Sequence, residues 1–174
     1  MKEEMLTLIR TRRSFRRYRD DEVPAEVLQA VLEAGTYAPT AHGLQTPYIV
    51  AVRNKAIRQR LSSLNAQIMG VKTDPYYGAP VFVLVFDVAG DPNGAKNGSC
   101  VLQNMMLAAH ALGLGSCWIN REAEMFATPD GVALMREFGL PDGLAGIGAL
   151  ALGYPEGEPS PQKSRKENYY RIID

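Results

Sequence analysis

Residues 81–86 read VFVLVF, an uninterrupted apolar run between Pro80 and Asp87. A strand with one solvated face alternates apolar and polar residues, whereas a continuous apolar run is typical of a strand covered on both faces. The run therefore predicts a strand in the middle of a sheet, with helices packed on both sides.

Helices and strands alternate outward from this run. Strands are predicted at residues 48–52, 114–119 and 146–153, and helices at residues 24–34, 55–69, 99–112 and 128–138. Pro24 should open the first helix, and Gly35 should end it. This order of elements predicts an α+β fold with α/β-type layering, in which helices flank the sheet on both faces.

Composition limits the class of protein. The 174 residues are 46% hydrophobic, which fits one globular domain over residues 1–174. The 19 basic and 19 acidic side chains give zero net charge, so no overall electrostatic attraction to nucleic acid or an anionic membrane is expected. The first residues lack the apolar segment of a signal peptide, and no apolar run reaches membrane-spanning length. We expect a soluble, cytoplasmic protein. Cys100 and Cys117 lack disulfide or zinc spacing and are expected to be buried thiols, so no metal site is predicted.

Two basic clusters stand out against this balance. Residues 10–19 (RTRRSFRRYR) hold six arginines and no acid, and Lys163, Ser164 and Arg165 form a second cluster near the C-terminus. Arginine binds phosphate oxygens through two parallel hydrogen bonds, and a serine hydroxyl adds a neutral donor. If the clusters meet, they predict a site for a phosphorylated cofactor. Taken alone, residues 10–19 also fit a solvated face or the contact strip of a nucleic-acid-binding module, although the zero net charge disfavours the latter.

The C-terminal segment predicts contact with a second copy of the chain. Residues 155–161 are rich in proline and glycine and cannot form a helix or a central strand. Apolar side chains follow at residues 169–173. We expect residues 155–174 to form an extended arm that packs on another subunit.

Four motifs together resemble the FMN-dependent nitroreductases, in particular their short-chain members. The motifs are residues 12–18 (RRSFRRY), 38–45 (APTAHGLQ), 113–119 (GLGSCWI), and 153–155 (GYP) followed by 163–165 (KSR). The resemblance covers essentially the whole chain. It implies a nitroreductase-like fold with a central mixed sheet, a homodimer with a swapped C-terminal arm, and FMN at the subunit interface.

The resemblance also assigns residues to FMN. Arg12, Arg13 and Ser14, with Lys163 and Arg165, are implied to hold its phosphate, while Arg16 reaches the ribityl chain and the pyrimidine edge. A cation at that edge would stabilise negative charge on the reduced ring. The backbone along Cys117, Trp118, Ile119 and Asn120 is implied to lie beside the isoalloxazine. Residues implied to contact flavin across the interface are Thr40, Ala41, His42, Gly43 and Gln45, and Asn65 is implied to offer an amide to the pyrimidine.

Simpler interpretations exist for some of these residues. His42 fits a turn residue equally well, and Trp118 fits ordinary core packing. Cys117 has no evident neighbouring base, so a nucleophilic role is disfavoured. His110, on an apolar helix, is assigned no role.

The implied activity is hydride transfer from NADH or NADPH, through flavin N5, to an electron-poor acceptor such as a nitroaromatic or a quinone, in a ping-pong cycle. No side chain need act as an acid or base, because the cofactor supplies the chemistry. The sequence has no Gly-x-Gly-x-x-Gly loop, which suits a transient nicotinamide. Enones, free flavin and halogenated rings are alternative acceptors on the same scaffold, and residues 40–48 and 72–77 are expected to decide among them.

Overall fold

A four-stranded sheet forms the centre of the protein, whose computed structural model describes residues 2–174. Its strands are β1 (Tyr48–Val52), β2 (Val81–Val88), β3 (Gly115–Ile119) and β4 (Leu144–Gly153). They lie in the order β1-β2-β4-β3, so the strand predicted from the VFVLVF run occupies an inner position.

All three strand pairings are antiparallel, which corrects the expected mixed sheet. The end of β1 lies beside the start of β2, because Val52 pairs with Phe82. After α3, residues 70–80 therefore return the chain to the end of the sheet where β1 finished, and β2 runs in the opposite direction to β1. Within the described residues, parallel pairing is confined to an isolated bridge between Ser14 and Ser116.

Six α-helices occur in residues 2–174: α1 (Lys2–Thr11), α2 (Ala25–Thr36), α3 (Lys55–Met69), α4 (Gly94–Ala111), α5 (Glu122–Phe126) and α6 (Pro129–Glu137). The bounds of β1 and α3 agree with the prediction. At the start of α3 the Asn54 side chain accepts a hydrogen bond from the Ile57 amide, and Gly70 in the left-handed conformation ends the helix.

Two helix boundaries differ from the prediction because of tertiary packing. Gly35 does not end α2, because it is buried inside the helix, where an added Cβ would lie 2.9 Å from Met105 Cγ. Helix α4 begins at Gly94 rather than Ser99, and a Cβ on its Gly98 would come within 2.6 Å of Ile147 Cγ2. These glycines permit close packing, a reason the local pattern does not reveal. Helices α1 and α5 were not predicted.

The core has two layers, one on each face of the sheet. Val81, Val83 and Val85 pack with α2 and α4, whereas Phe82, Leu84 and Phe86 pack with α3, α5 and α6. The prediction that helices cover both faces is therefore confirmed.

Beyond β4 the chain is extended and exposed, as predicted. Large apolar side chains there have exposed fractions of 68% to 86%, and they are Tyr169, Tyr170, Ile172 and Ile173. Apolar groups so exposed gain free energy if another surface covers them. No helix among residues 2–174 is both long and apolar enough to cross a bilayer.

Candidate functional site

The two basic clusters meet in one cleft of about 790 Å³ between the end of α1 and the C-terminal arm. Its lining includes Arg10, Arg12, Arg13, Ser14, Arg16, Ser160, Gln162, Lys163 and Arg165. None of the described residues that line the cleft is acidic. The predicted meeting of residues 12–16 with residues 163–165 is therefore observed within a single chain.

Backbone hydrogen bonds fix the segment that carries the arginines. The Phe15 amide donates to the Ser116 carbonyl of β3 at 3.1 Å, and the Arg19 amide donates to the Tyr154 carbonyl at 3.0 Å. The Tyr18 side chain is partly buried, and its hydroxyl lies 2.8 Å from the Phe15 carbonyl and 3.1 Å from the Ala151 carbonyl. Residues 14–19 consequently run from the β3 edge to the end of β4, which presents their basic side chains at a fixed place.

Arg12 places an unsatisfied donor in the cleft. Its Nη1 atom is buried and has no hydrogen-bond partner among residues 2–174. Burial, and then the neighbouring charge of Arg13, lowers the pKa of Arg12. A buried donor without an acceptor costs free energy, and more so when it carries charge. An anion in the cleft would remove that cost.

Arg13 and Arg165 have backbone acceptors instead. Arg13 Nη1 donates to the carbonyls of Arg10 at 2.8 Å and Arg12 at 2.7 Å, and Arg165 Nη2 donates to the Lys163 carbonyl at 2.7 Å. Arg16 also lines the cleft, and its guanidinium carbon lies 5.9 Å from the centre of the Tyr77 ring.

His110 adds a neutral donor behind the cleft. Its Nε2 lies 2.9 Å from Thr11 Oγ1, and that hydroxyl donates to the Thr7 carbonyl. The imidazole therefore donates to Thr11. Burial first, and then Arg12 and Arg13, lowers the pKa of His110. This contact could not be anticipated from the sequence, because α1 was not predicted.

The predicted residues of β3 point to different sides of the sheet. Cys117 and Ile119 are buried in the layer with α3, while Trp118 lies in the opposite layer with a buried indole nitrogen that has no partner. Burial raises the pKa of Cys117, which keeps it a thiol and agrees with the absence of a nucleophilic role. The side chain of Asn120 is exposed at the end of the strand. The thiol nevertheless lies near the basic cluster, because Arg16, Ser14 and Arg12 partly oppose this rise in the pKa of Cys117.

Asn65 is not on the surface. Its side chain is fully buried, and Nδ2 donates to the Asn120 carbonyl at 2.9 Å. The expected direct amide contact with a cofactor is not supported by this position. Instead, Asn65 belongs to a buried cluster with Tyr76 and Glu122, two residues that the sequence did not single out. Tyr76 donates to Glu122 Oε1 at 2.9 Å.

Residues 40–45 lie at the other edge of the sheet. Thr40 Oγ1 accepts from the Gln45 amide at 2.9 Å, and the Ala41 amide donates to the Asn97 side chain at 2.9 Å. His42, Gly43 and Gln45 all have positive φ, a costly conformation for non-glycine residues that is common where function demands it.

The loop is well separated from the cleft. It leads into β1, three strand spacings or about 14 Å from β3, and its residues do not line the cleft. The prediction that the loop contacts cofactor within the partner's site requires a second chain.

Comparisons with known proteins agree with this geometry. The model of the nitroreductase family matches residues 9–77 and 67–154. The chain belongs to the nitroreductase family. A provisionally named NADH dehydrogenase/NAD(P)H nitroreductase of Methanothermobacter thermautotrophicus is 31% identical over 163 residues, which cover 91% of this chain and 81% of that protein. An NADPH-dependent oxidoreductase of Staphylococcus epidermidis is 26% identical and is matched over 98% of this chain and 74% of its own length.

A solved structure places the same fold around a flavin in another family member. The nitroreductase of Bacteroides fragilis with bound FMN has a TM-score of 0.91 and 30% identity, and the match covers 98% of this chain and 99% of that one. The expected nitroreductase-like fold is confirmed.

Proposed function

We propose that this nitroreductase-family chain is an FMN-dependent oxidoreductase that uses NADH or NADPH. The observation that carries the proposal is the buried, unpartnered Nη1 of Arg12 in a cleft whose described lining has no acid. A phosphate dianion supplies several acceptor oxygens to such a donor. The bound FMN of the Bacteroides fragilis protein and the name of the Staphylococcus relative support the choice of cofactor and donor.

The residues present fit FMN along the length of the cleft. Arg12, Ser14, Lys163 and Arg165 would hold the phosphate, with Arg13 adding charge. Arg16, which lines the same cleft, would place a cation near the ring. When bound, FMN would supply hydride chemistry between the nicotinamide and the acceptor. The chain would bind and orient this group, and none of its side chains is assigned the role of acid or base.

A second copy of the chain would complete the site. Residues 40–45 lie too far from the cleft to reach it within one subunit, and the arm after residue 155 exposes its apolar side chains. A homodimer would cover these side chains and bring a partner's loop to the ring end of the cleft. The cytoplasmic location and the lack of a nucleic-acid partner stay predictions.

Nitroaromatics and quinones are the acceptors we propose first, because an open cleft at the edge of the sheet imposes little shape selection on a flat, electron-poor ring. Enones, free flavin and halogenated rings are the alternatives. A panel of these acceptors, assayed with matched NADH and NADPH, would rank them and identify the donor.

Flavin binding tests the proposal itself. Purified protein should take up FMN with a visible flavin absorbance, and riboflavin, which lacks the phosphate, should bind at least roughly a hundredfold more weakly. Protein that stays colourless after FMN is added would contradict the proposal.

A further inference from the structure

The turn between β3 and α5 is held at both ends by buried side chains from elsewhere in the chain. Residues 120–122 form this turn, and Arg121 at its centre has a φ of 85°. A non-glycine residue in this region costs free energy, so the surrounding structure must impose the conformation. The contacts that impose it are made by Asn65 and Tyr76.

Asn65 holds the start of the turn, and Tyr76 holds its end. The Asn65 amide donates to the Asn120 carbonyl at 2.9 Å, and the Tyr76 hydroxyl donates to Glu122 Oε1 at 2.9 Å. Tyr76 is itself fixed by stacking on Phe82, with ring centres 3.9 Å apart. Asn65 and Tyr76 also interact with each other, since the Asn65 side chain partly opposes the rise that burial and then Glu122 produce in the pKa of Tyr76.

Glu122 is the unusual member of this cluster. Its side chain is fully buried, and Oε2 has no hydrogen-bond partner among residues 2–174. The backbone of β4 lies directly against it, because a Cβ on Gly146 would fall 2.9 Å from Glu122 Cβ. The Tyr76 hydroxyl and the backbone amide of Glu122 itself favour the ionised form. A buried carboxylate without a paired cation nevertheless costs more free energy than the neutral acid.

We propose that Glu122, held as a neutral acid, is a positioning residue that fixes the backbone at Asn120 through Tyr76 and Asn65. This inference rests on the proposed function, in which that backbone lies beside the flavin ring. Loss of the proton would bury a charge whose cost the Tyr76 hydrogen bond only partly offsets, and opening of the turn to water would relieve that cost and release the strained Arg121. Binding of the flavin ring should then depend on the protonation of Glu122.

The electrostatic surroundings agree with this role. Burial raises the pKa of Glu122 to about 7, against the opposing effect of the Tyr76 hydrogen bond. Among charged neighbours, Glu124 raises this pKa and Arg121 lowers it, both from the same segment. The polar groups that reach the cluster from other elements are Tyr76 and Asn65. The change in protonation should therefore fall near neutral pH.

Amide hydrogen exchange tests the positioning without any flavin. The Met125 amide donates to the Arg121 carbonyl at 2.8 Å. In the unmodified protein, its protection should fall at least roughly fivefold between about pH 6 and about pH 8.5, after correction for intrinsic exchange. Glu122→Gln, which is permanently neutral, should abolish this fall. Glu124→Gln, an exposed neighbour on the same helix, should retain it. Identical profiles for the unmodified protein and Glu122→Gln would overturn the inference.

Tyr76→Phe provides a second test if Glu122→Gln folds poorly. Without the phenol, the carboxylate loses the hydrogen bond that favours ionisation, so the midpoint of the profile should move to higher pH. An unchanged midpoint would overturn the inference.

FMN titrations over the same pH range separate this inference from the proposed function. The dissociation constant should rise with pH more steeply in the unmodified protein than in Glu122→Gln. If neither protein binds FMN at any pH, the proposed function fails, while the exchange profiles still decide whether Glu122 holds the turn. If both bind FMN with parallel pH profiles, the turn does not face the flavin, and the inference fails.

Discussion

The basic cleft and the loop at residues 40–45 are incomplete in complementary ways. The cleft gathers cations from both ends of one chain along the β3 edge and leaves Arg12 Nη1 without an acceptor. The loop, at the β1 edge, is held by one internal hydrogen bond and one to Asn97, yet exposes Leu44 and the neighbouring Tyr37 and Tyr48. The cleft concentrates positive charge, whereas the loop exposes apolar side chains.

This difference indicates how the proposed site is divided. In the proposed site, phosphate binding would need only one chain, because the cations that line the cleft belong to one chain. The ring end would need two chains, because three strand spacings separate β1, which follows the loop, from β3. Changes in the cleft should therefore act on flavin binding within a subunit, whereas changes in the loop should act on the partner's flavin.

Truncation before Lys163 should have the largest effect. It removes two cations from the cleft, and hydrogen bonds to charged groups contribute about 1.5–3 kcal/mol each, so FMN affinity should fall about a thousandfold. It also removes the apolar side chains at residues 169–173 and should weaken the dimer. Sedimentation and flavin absorbance measure the two effects. A truncated chain that remains a tight dimer with full flavin content would contradict both roles of the arm.

Arg12→Ala should lower FMN affinity about a hundredfold, on the same energetic basis, and should leave association between subunits intact. Without flavin, the free energy of unfolding should not fall, because the variant removes a buried charge that has no partner at Nη1. Arg17→Ala is the matched control, since Arg17 belongs to the same arginine run but does not line this cleft. Equal losses of FMN in both variants would indicate a general effect of charge rather than a phosphate site.

The free energy of unfolding should depend on pH through Glu122, which belongs to neither the cleft nor the loop. Burial raises the pKa of Glu122 from 4.5 to about 7. Below about pH 4.5 the group is protonated in both the folded and unfolded states, whereas between pH 4.5 and 7 only the unfolded chain loses the proton. The free energy of unfolding should therefore fall by about 3 kcal/mol over this interval relative to Glu122→Gln, at 1.36 kcal/mol for each pKa unit. Urea unfolding at a series of pH values measures this difference, and a constant difference would contradict a raised pKa.

Mixed dimers should show the smallest but most specific effect. One chain carries Arg12→Ala, and the other carries Thr40→Ala with Gln45→Ala. If the loop acts on the partner's flavin, the mixed dimer has one intact site and should recover about half of the flavin content, whereas each parent dimer has none. If cleft and loop acted within one chain, mixing would restore nothing. Tagged chains purified in two affinity steps give the mixed dimer for flavin absorbance.

Local patterns predicted the elements whose signals lie within a few residues. The apolar run of β2, the β-branched strand β1 and the capped helix α3 have such signals, and all three were found where they were expected. Helix α5 was missed because it has only five residues, and the start of α4 was missed because its glycines serve packing rather than a turn. The antiparallel pairing of β1 and β2 was not predicted, because it depends on the path by which residues 70–80 lead the chain from α3 back to the sheet.

The sequence by itself determined the family, the central strand and the pairing of two basic clusters, because charge and hydrophobic patterns are visible without knowledge of contacts. Tertiary structure decided how deeply these groups are buried and which other groups surround them. It buried Arg12 Nη1 without an acceptor, placed the loop at residues 40–45 on the far edge of the sheet, and enclosed the Asn65 side chain in the interior. It also enclosed Glu122 beside Tyr76. Burial and the distances between remote residues set these properties, and both arise only when the chain is packed.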